Sequence, residues 1–405
     1  MSRAYIVGAL RTATGKRNGR ISQVHPAELG AACVDGLVQR VAGGDFDASL
    51  IDDVIFGCVS QVGAQAANLG RNVVLSSSLP TSVPGTAVDR QCGSSQQAIH
   101  FAAMAVMSGQ QDLVVAGGAE SMSSVPMMSN LPKGLGKPNS DAAQARFGPG
   151  GFYSQFVGAE MMSDKYGLDR AACDAFAERS HKLAAAAIEA GAFDDQVVAV
   201  RGHDKEGNEV SHAVDEGVRP GTTQAKLAEL ETLVQQGFCP PGANAAHAEG
   251  VVTAGNASQI SDGAAALLLA NEEGLRKLGG RVTPLAEVRS MALAGTDPVL
   301  MLEGPVPASK SALARAGLEL SDIGRYEVNE AFASVALAWQ KAMSGDPDRL
   351  NVNGGAIALG HPLGATGAKL MTQLVHDLQR SQERFGLLAI CEGGGTANAT
   401  IIERC

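Results

Sequence analysis

A chain of 405 residues is too long for one compact core and should divide into two or three domains. Its formal net charge of -10, single Trp and four Tyr argue against a nucleic-acid partner, which needs a basic face or aromatic stacking platforms. Seven Cys residues with no Cys-x-x-Cys spacing read neither as a disulfide framework nor as a zinc site, so no metal is expected and a reducing cytoplasm is the expected setting.

The elements follow in order. Arg3 and the apolar run 4–10 are too short for a signal peptide and lack a small-residue cleavage site, so they read as a first core strand. No apolar run approaches the roughly 20 residues of a membrane span. A helix over 27–41 precedes a strand over 53–58. The strand-like run 83–88 then breaks through Asp89-Arg90-Gln91 into Cys92-Gly93-Ser94-Ser95, and a helix over 96–107 leads to a strand over 112–116 that ends in Gly117-Gly118. Residues 121–151, rich in Ser, Met, Pro and Gly, read as a loop excursion. Met161, Met162, Tyr166, Ala171, Ala172, Ala175, Phe176 and Leu183 recur at spacings near 3.6 and predict helix across 153–191. The chain turns polar after Gly202, 238–250 reads as a surface loop, and an apolar strand over 264–270 returns to the first half. A helix over 307–316, a strand over 323–328, a glycine-dense turn holding His361, a helix over 368–379 and a strand over 385–390 complete the order; the last strand ends in Cys391 and three glycines.

The second series repeats the first. Such a duplication implies an α/β protein of two similar halves packed face to face, with the reactive turns meeting at their pseudo-twofold interface. The expected division is 1–121 completed by 259–280, an inserted loop domain over 122–258, and a second half over 281–405. Strands separated by helices further predict mostly parallel sheets, buried on both faces.

Cys92 lies at a helix N-terminus, where exposed N–H groups and the macrodipole favour thiolate, and its small neighbours leave room for a substrate. Cys33, Cys58 and Cys173 sit in apolar patterns and read as small core hydrophobes. His361 is framed by Gly360 and Pro362, so its ring should project from a rigid turn as the base a thiol nucleophile needs. His203, His212 and His247 fall in polar loops and are assigned no role. A hydrolase would need one base and one oxyanion hole. A second thiol, Cys391, could instead exchange a proton with the carbon next to a thioester, which is carbon–carbon bond formation or its reverse. The backbone N–H groups of Cys92 and the Gly393 region are candidate donors to one oxyanion, and Asn329 with His361 to a second. If the substrate is a polyanion, the acidic chain needs local positive charge, for which Lys133, Lys137, Arg219 and Lys226 are candidates.

Asp89-Arg90-Gln91-Cys92-Gly93-Ser94-Ser95, Asn329-Glu330-Ala331-Phe332, the run from Gly354 to Pro362 and Cys391-Glu392-Gly393-Gly394-Gly395 together resemble the thiolase family of acetyl-CoA C-acyltransferases, and the likeness runs from Gly8-Ala9-Leu10-Arg11-Thr12 to Ile401-Ile402-Glu403. The resemblance implies the thiolase fold, a five-layered α-β-α-β-α core with an inserted loop domain, assembled as a dimer or a dimer of dimers. It implies Cys92 as the acylated nucleophile, His361 as its base, Cys391 as the acid/base at the α-carbon and Asn329 as the holder of a water in the second oxyanion hole. Coenzyme A and its acyl thioesters would be substrates, with no permanently bound cofactor. Ser258, in Ala254-Gly255-Asn256-Ala257-Ser258, would meet the pantetheine arm; Arg219, with Lys226 in place of a small polar residue, would lie near the nucleotide; residues 127–146 would form the loop that often joins dimers.

One departure concerns the acyl pocket. Short-chain biosynthetic thiolases share a His-Met pair ahead of the Ala-Glu matched by Ala159-Glu160; Ser154-Gln155 stand there in this chain. The pattern looks more like the degradative thiolases, including those acting on bulky or ring-derived acyl chains, with an acetoacetyl-CoA thiolase as the alternative. Ketosynthase-type enzymes carry a His where Cys391 stands, and a non-catalytic lipid binder of this scaffold would have lost a catalytic residue.

Overall fold

Nine strands form one continuous path, β7-β8-β9-β6-β1-β5-β4-β2-β3, where β1 is Tyr5–Thr12, β2 Asp53–Gly57, β3 Thr86–Val88, β4 Leu113–Ser121, β5 Ser261–Ala270, β6 Ala286–Gly295, β7 Arg325–Val328, β8 Phe385–Glu392 and β9 Thr396–Arg404. The computed structural model describes residues 2–42, 46–131, 133–148, 153–240, 242–280 and 282–405. Pro132 of the 127–146 loop, Gly151 at the end of the 121–151 excursion and Pro241 of the 238–250 loop lie outside the described residues.

The path is thin at its middle. β1 meets β6 only at Tyr5↔Glu287 and Ile6↔Ala286, whereas β6 and β9 pair from Ala286↔Arg404 to Gly295↔Thr396. Two sheets are therefore joined edge to edge. Each is mixed rather than mostly parallel, which corrects the expectation. Parallel pairs link β2 to β3 and β4, and β7 to β8, but β5 runs antiparallel between β1 and β4, and β9 antiparallel between β8 and β6. The reason lies in the connections: a parallel return needs a crossover of a dozen or more residues, and only Gly393-Gly394-Gly395 separate β8 from β9. Gly394 and Gly395, at φ +80° and +81°, close that hairpin. Burial on both faces holds, since every residue of β4, β5 and β8 is buried.

Five layers follow from what each face packs against. Ile99 and Val106 of the helix Ser94–Ser108, and Leu370, Leu374 and Leu378 of the helix Thr366–Ser381, share one core with Val114, Leu267, Leu388 and Ile402 from both sheets. The other face of the first sheet is covered by the helices Pro26–Ala42 and Leu69–Ser76, through Leu29, Leu37 and Val73. The other face of the second is covered by Pro305–Ala316 and Ala333–Met343, where Trp339 donates to Ser309 Oγ at 2.9 Å.

The two central helices meet at their N-termini. A Cβ on Gly367 would run into the backbone nitrogen of Gln96, and Ala368 N donates to Ser95 Oγ at 2.9 Å. This crossing sets the turns that precede the two helices, carrying Cys92 and His361, side by side. Residues 153–191 form two helices rather than one: Gln155–Tyr166 stops at Gly167 (φ +59°), and Asp169 Oδ1 accepts from Ala172 N at 2.8 Å to cap Arg170–Glu189. Among the described residues no helix is long and apolar enough to cross a membrane, and no group of His, Cys, Asp and Glu could hold a metal ion.

Candidate active site

Cys92 follows a tight turn off β3. Asp89 Oδ1 accepts from Gln91 N at 2.7 Å, Gln91 takes φ +49°, and Ser94 Oγ donates to the Gln91 carbonyl at 2.6 Å. A left-handed non-glycine residue is costly and is held here by its neighbours. The sulfur is half-buried, against Val59, Met122 and Leu363. Its acidity reverses the expectation from the helix N-terminus. Burial, and then the Glu392 carboxylate, push the thiol up to about 12, while hydrogen bonds from the backbone N–H of Cys92 and of Gly393 pull the other way. One donor at the helix end and one from the β8–β9 hairpin do not offset desolvation plus a neighbouring acid. At rest Cys92 is a thiol.

Cys391 is the last residue but one of β8 and is buried. Burial and then the neighbouring Cys92 hold its thiol well above the ordinary range, with Glu392 adding to both. Strand alternation sends Glu392 to the opposite side from Cys391, against Gly93, where a Cβ would collide with its carboxylate. Glu392 Oε2 accepts from Thr396 Oγ1 at 2.7 Å, and burial raises the carboxyl to about 8.

His361 is held from four directions. Its backbone N donates to Ser261 Oγ at 3.1 Å, Gly360 before it takes φ +81°, its Nδ1 lies 2.5 Å from Thr366 Oγ1, and its Nε2 lies 3.4 Å from Asn329 Nδ2. The Thr366 hydroxyl donates its proton to the Pro362 carbonyl at 2.9 Å, so it can only accept from His361. This network assigns the proton to Nδ1 and leaves the lone pair on Nε2. Burial, and then the charge of Lys369, lower the imidazole to about 3, so it is neutral near pH 7.

Asn329 follows β7 and is tied to the Cys391 strand, its N donating to the Ala389 carbonyl at 3.0 Å. Its Oδ1 is buried without a hydrogen-bond partner among the described residues. The next residue, Glu330, is the frame of this corner: it accepts from Ser180 Oγ at 2.7 Å, Asn351 Nδ2 at 2.9 Å and Ile357 N at 3.1 Å. Glu120 does the same across the site, accepting from Val59 N (2.9 Å), Ser60 N (3.1 Å) and Gly364 N (2.9 Å). Sequence reasoning passed over Thr366, Glu392, Lys369 and Glu120. Glu330 stood inside a quoted motif without a role.

The remaining predicted residues lie on one flank. Ser258 N donates to the Ala331 carbonyl at 2.9 Å, two residues from Asn329, and Ser258 is half-buried. Ala254, Arg219 and Lys226 are exposed. Arg219 N donates to His181 Nδ1 at 3.1 Å, Lys226 Nζ donates to the Gly221 carbonyl at 2.8 Å, and Gly255 packs on Leu227 of the Lys226 helix. Arg219, Lys226 and Ala254 thus lie exposed on the inserted segment that ends at Ser258, and Lys133 and Lys137 lie in the 127–146 loop.

The thiolase N-terminal domain description matches residues 4–273, and the thiolase C-terminal domain description matches residues 282–404. The chain belongs to the thiolase family. It is 45% identical over 410 residues to the steroid 3-ketoacyl-CoA thiolase FadA6 of Mycobacterium tuberculosis, covering all of this chain and 95% of that one. It is 42% identical to the 3-ketoacyl-CoA thiolase of Bacillus subtilis, with both chains fully covered. Among solved structures it matches the Bacillus anthracis acetyl-CoA acetyltransferase at TM-score 0.87 and 35% identity, and human mitochondrial 3-ketoacyl-CoA thiolase at 0.85 and 33%, each over 100% of this chain and 99% of the other. The five layers are therefore the thiolase fold, and the protein is an acyltransferase. In this thiolase, Ser154 caps the helix Gln155–Tyr166 and Gln155 Nε2 lies 3.8 Å from Met127 Sδ, in place of a His-Met pair. Phe156 packs edge to face on Phe332 (6.1 Å between centroids) and on Phe238 (5.9 Å).

Proposed function

We propose that the protein cleaves 3-ketoacyl-CoA with coenzyme A to acetyl-CoA and a shortened acyl-CoA, through an acyl-enzyme on Cys92. The observation that carries the reading is a pair of neighbouring neutral thiols, Cys92 and Cys391, the first held by the Gly393 N–H, together with an imidazole whose Nε2 is free of its own proton. As the Cys92 sulfur attacks the 3-keto carbon, His361 Nε2 takes its proton, so charge develops only in the transition state. The C2–C3 bond breaks, the acyl group stays on Cys92, and the acetyl-CoA carbanion takes the proton of Cys391. In the second half, coenzyme A attacks the thioester, its thiol proton returns to the Cys391 sulfur, and the imidazolium returns its proton to Cys92. The N–H groups of Cys92 and Gly393 stabilise one oxyanion; His361, with a water held by the Asn329 Oδ1 that has no partner among the described residues, serves the other.

The pantetheine arm runs past Ser258 and Ala254, with Arg219 and Lys226 at the nucleotide phosphates. The division into 1–121 with 259–280, 122–258 and 281–405 belongs to the same reading: both halves supply chemistry, and the insert supplies the binding flank. Coenzyme A is substrate, with no resident cofactor, in a cytoplasmic dimer or dimer of dimers. Phe156 and Phe238 at the Gln155 end support acyl groups longer than four carbons, including ring-derived ones. A thiolysis assay over 3-ketoacyl-CoA lengths, including a cyclic one, tests this. Cleavage should extend beyond C4, and activity confined to acetoacetyl-CoA would overturn the chain-length reading.

A further inference from the structure

We infer that Lys369 is a positioning residue for the base: from the helix Thr366–Ser381 its side chain reaches the two carbonyls that precede His361 and sets both the place and the charge of the imidazole. Nζ donates to the Leu359 carbonyl at 2.8 Å and to the Gly360 carbonyl at 2.7 Å, and the whole residue is buried. Those carbonyls end the short helix Ala356–Leu359, whose last turn carries the negative end of its dipole. Gly360 has φ +81°, and any Cβ there would meet the Ser261 hydroxyl that holds His361 N, so the turn has one arrangement and Lys369 fastens its far side.

A buried ammonium is costly unless carboxylates answer it. Burial lowers Lys369 to about 7, against which Asp215 acts first, with Glu327 and Glu330 supporting and Arg11 opposing. Asp215 comes from the inserted segment and is shared, binding Arg11 through both oxygens at 2.8 and 3.0 Å. Lys369 is therefore where the insert, the first half and the second half meet behind the base. Lys369, Asn329 and Thr366 face His361, with the Cys92 thiol as its proposed proton donor, and of these only Lys369 acts on the imidazole as a charge.

The sign is fixed. A cation beside an imidazole disfavours protonation, so removing it raises the His361 pKa. The inference rests on His361 being the base. Acylation of Cys92 by acetoacetyl-CoA and thiolysis are measured by rapid mixing from pH 3 to 9, a window that reaches the His361 limb, in wild type, His361→Ala, Lys369→Met, Lys369→Gln and Lys369→Arg, with folding checked by circular dichroism. Lys369→Met should lower kcat at least tenfold at pH 8 with KM for coenzyme A within twofold, and should move the acid limb up by a pH unit or more. Lys369→Gln keeps an uncharged N–H donor group and should show the same limb with a smaller loss, while Lys369→Arg keeps the wild-type limb and is the reading that survives if the uncharged variants do not fold. A uniform loss with an unmoved limb in Met or Gln, or a limb that moves in Arg, overturns the inference. Acylation that persists in His361→Ala overturns the base assignment instead.

Discussion

Thr366 Oγ1 stands 2.5 Å from Nδ1 of His361 and sends its own proton to the Pro362 carbonyl, so one hydroxyl selects the tautomer that bares Nε2. Replacing Thr366 with Val leaves a buried Nδ1–H without an acceptor, a cost of about 1–3 kcal/mol. If that cost falls on the transition state, it corresponds to a roughly 5- to 150-fold loss of kcat. Thr366→Ser keeps the oxygen and should stay near wild type. Steady-state kinetics on both variants check this, and equal losses would mean that the methyl group, not the hydroxyl, matters.

Cys391→Ala should separate the two halves of the reaction. Cys92 and His361 remain, so acyl-enzyme formation from an acyl-CoA survives, while exchange of the α-protons of acetyl-CoA with solvent falls to background. Mass spectrometry of the labelled enzyme and deuterium incorporation into acetyl-CoA read the two steps apart. Exchange at the wild-type rate would remove the acid/base role of Cys391.

The Cys92 environment predicts a pH signature. Burial first and Glu392 second raise the thiol to about 12, and Glu392 itself titrates near 8. Below that pH the carboxyl is neutral and Glu392→Gln should alkylate with iodoacetamide at nearly the wild-type rate. Above it the wild-type carboxylate opposes thiolate formation, so the variant should pull ahead, by severalfold at pH 9. Arg90 and Asp89 also face Glu392, the first lowering and the second raising its pKa, and both are unchanged in the comparison. Rate profiles that stay parallel from pH 6 to 9 would sink this account.

How much of this was legible in the residues divides along physical lines. Glycine turns around Cys92, His361 and Cys391 announce sharp backbone next to reactive groups, and the repeated order of helices and strands announces two halves; both signals are local. Strand direction was not legible where it depended on what β5 pairs with after an excursion of more than a hundred residues. The charge states were not legible either. Lys369, Glu392 and Glu120 look in sequence like ordinary solvated residues, and only packing reveals that all three are buried, Lys369 and Glu120 fastened to the backbone around His361 and Glu392 to the Thr396 hydroxyl. Cys92 shows the consequence: its helix N-terminus was visible in the chain, but the burial that outweighs it, and the acid three hundred residues away that adds to it, were not.

The crossing of the two central helices carries the last prediction. Gly367 has no room for a Cβ because the Gln96 backbone nitrogen occupies that space, and a backbone atom cannot rotate aside as a side chain can. Gly367→Ala must therefore push the helix Thr366–Ser381 away from Ser94–Ser108, at a cost typical of overpacking, about 1–3 kcal/mol. The same displacement parts Cys92 from His361, because each sits just ahead of one helix. A lower melting temperature and a drop in kcat of tenfold or more should thus appear together, with misplacement of the reacting groups the larger effect. Thermal unfolding and acylation kinetics on one preparation test it. Lost stability with intact acylation would show that the turns keep their spacing by other contacts, such as the Glu120 bonds to Val59, Ser60 and Gly364.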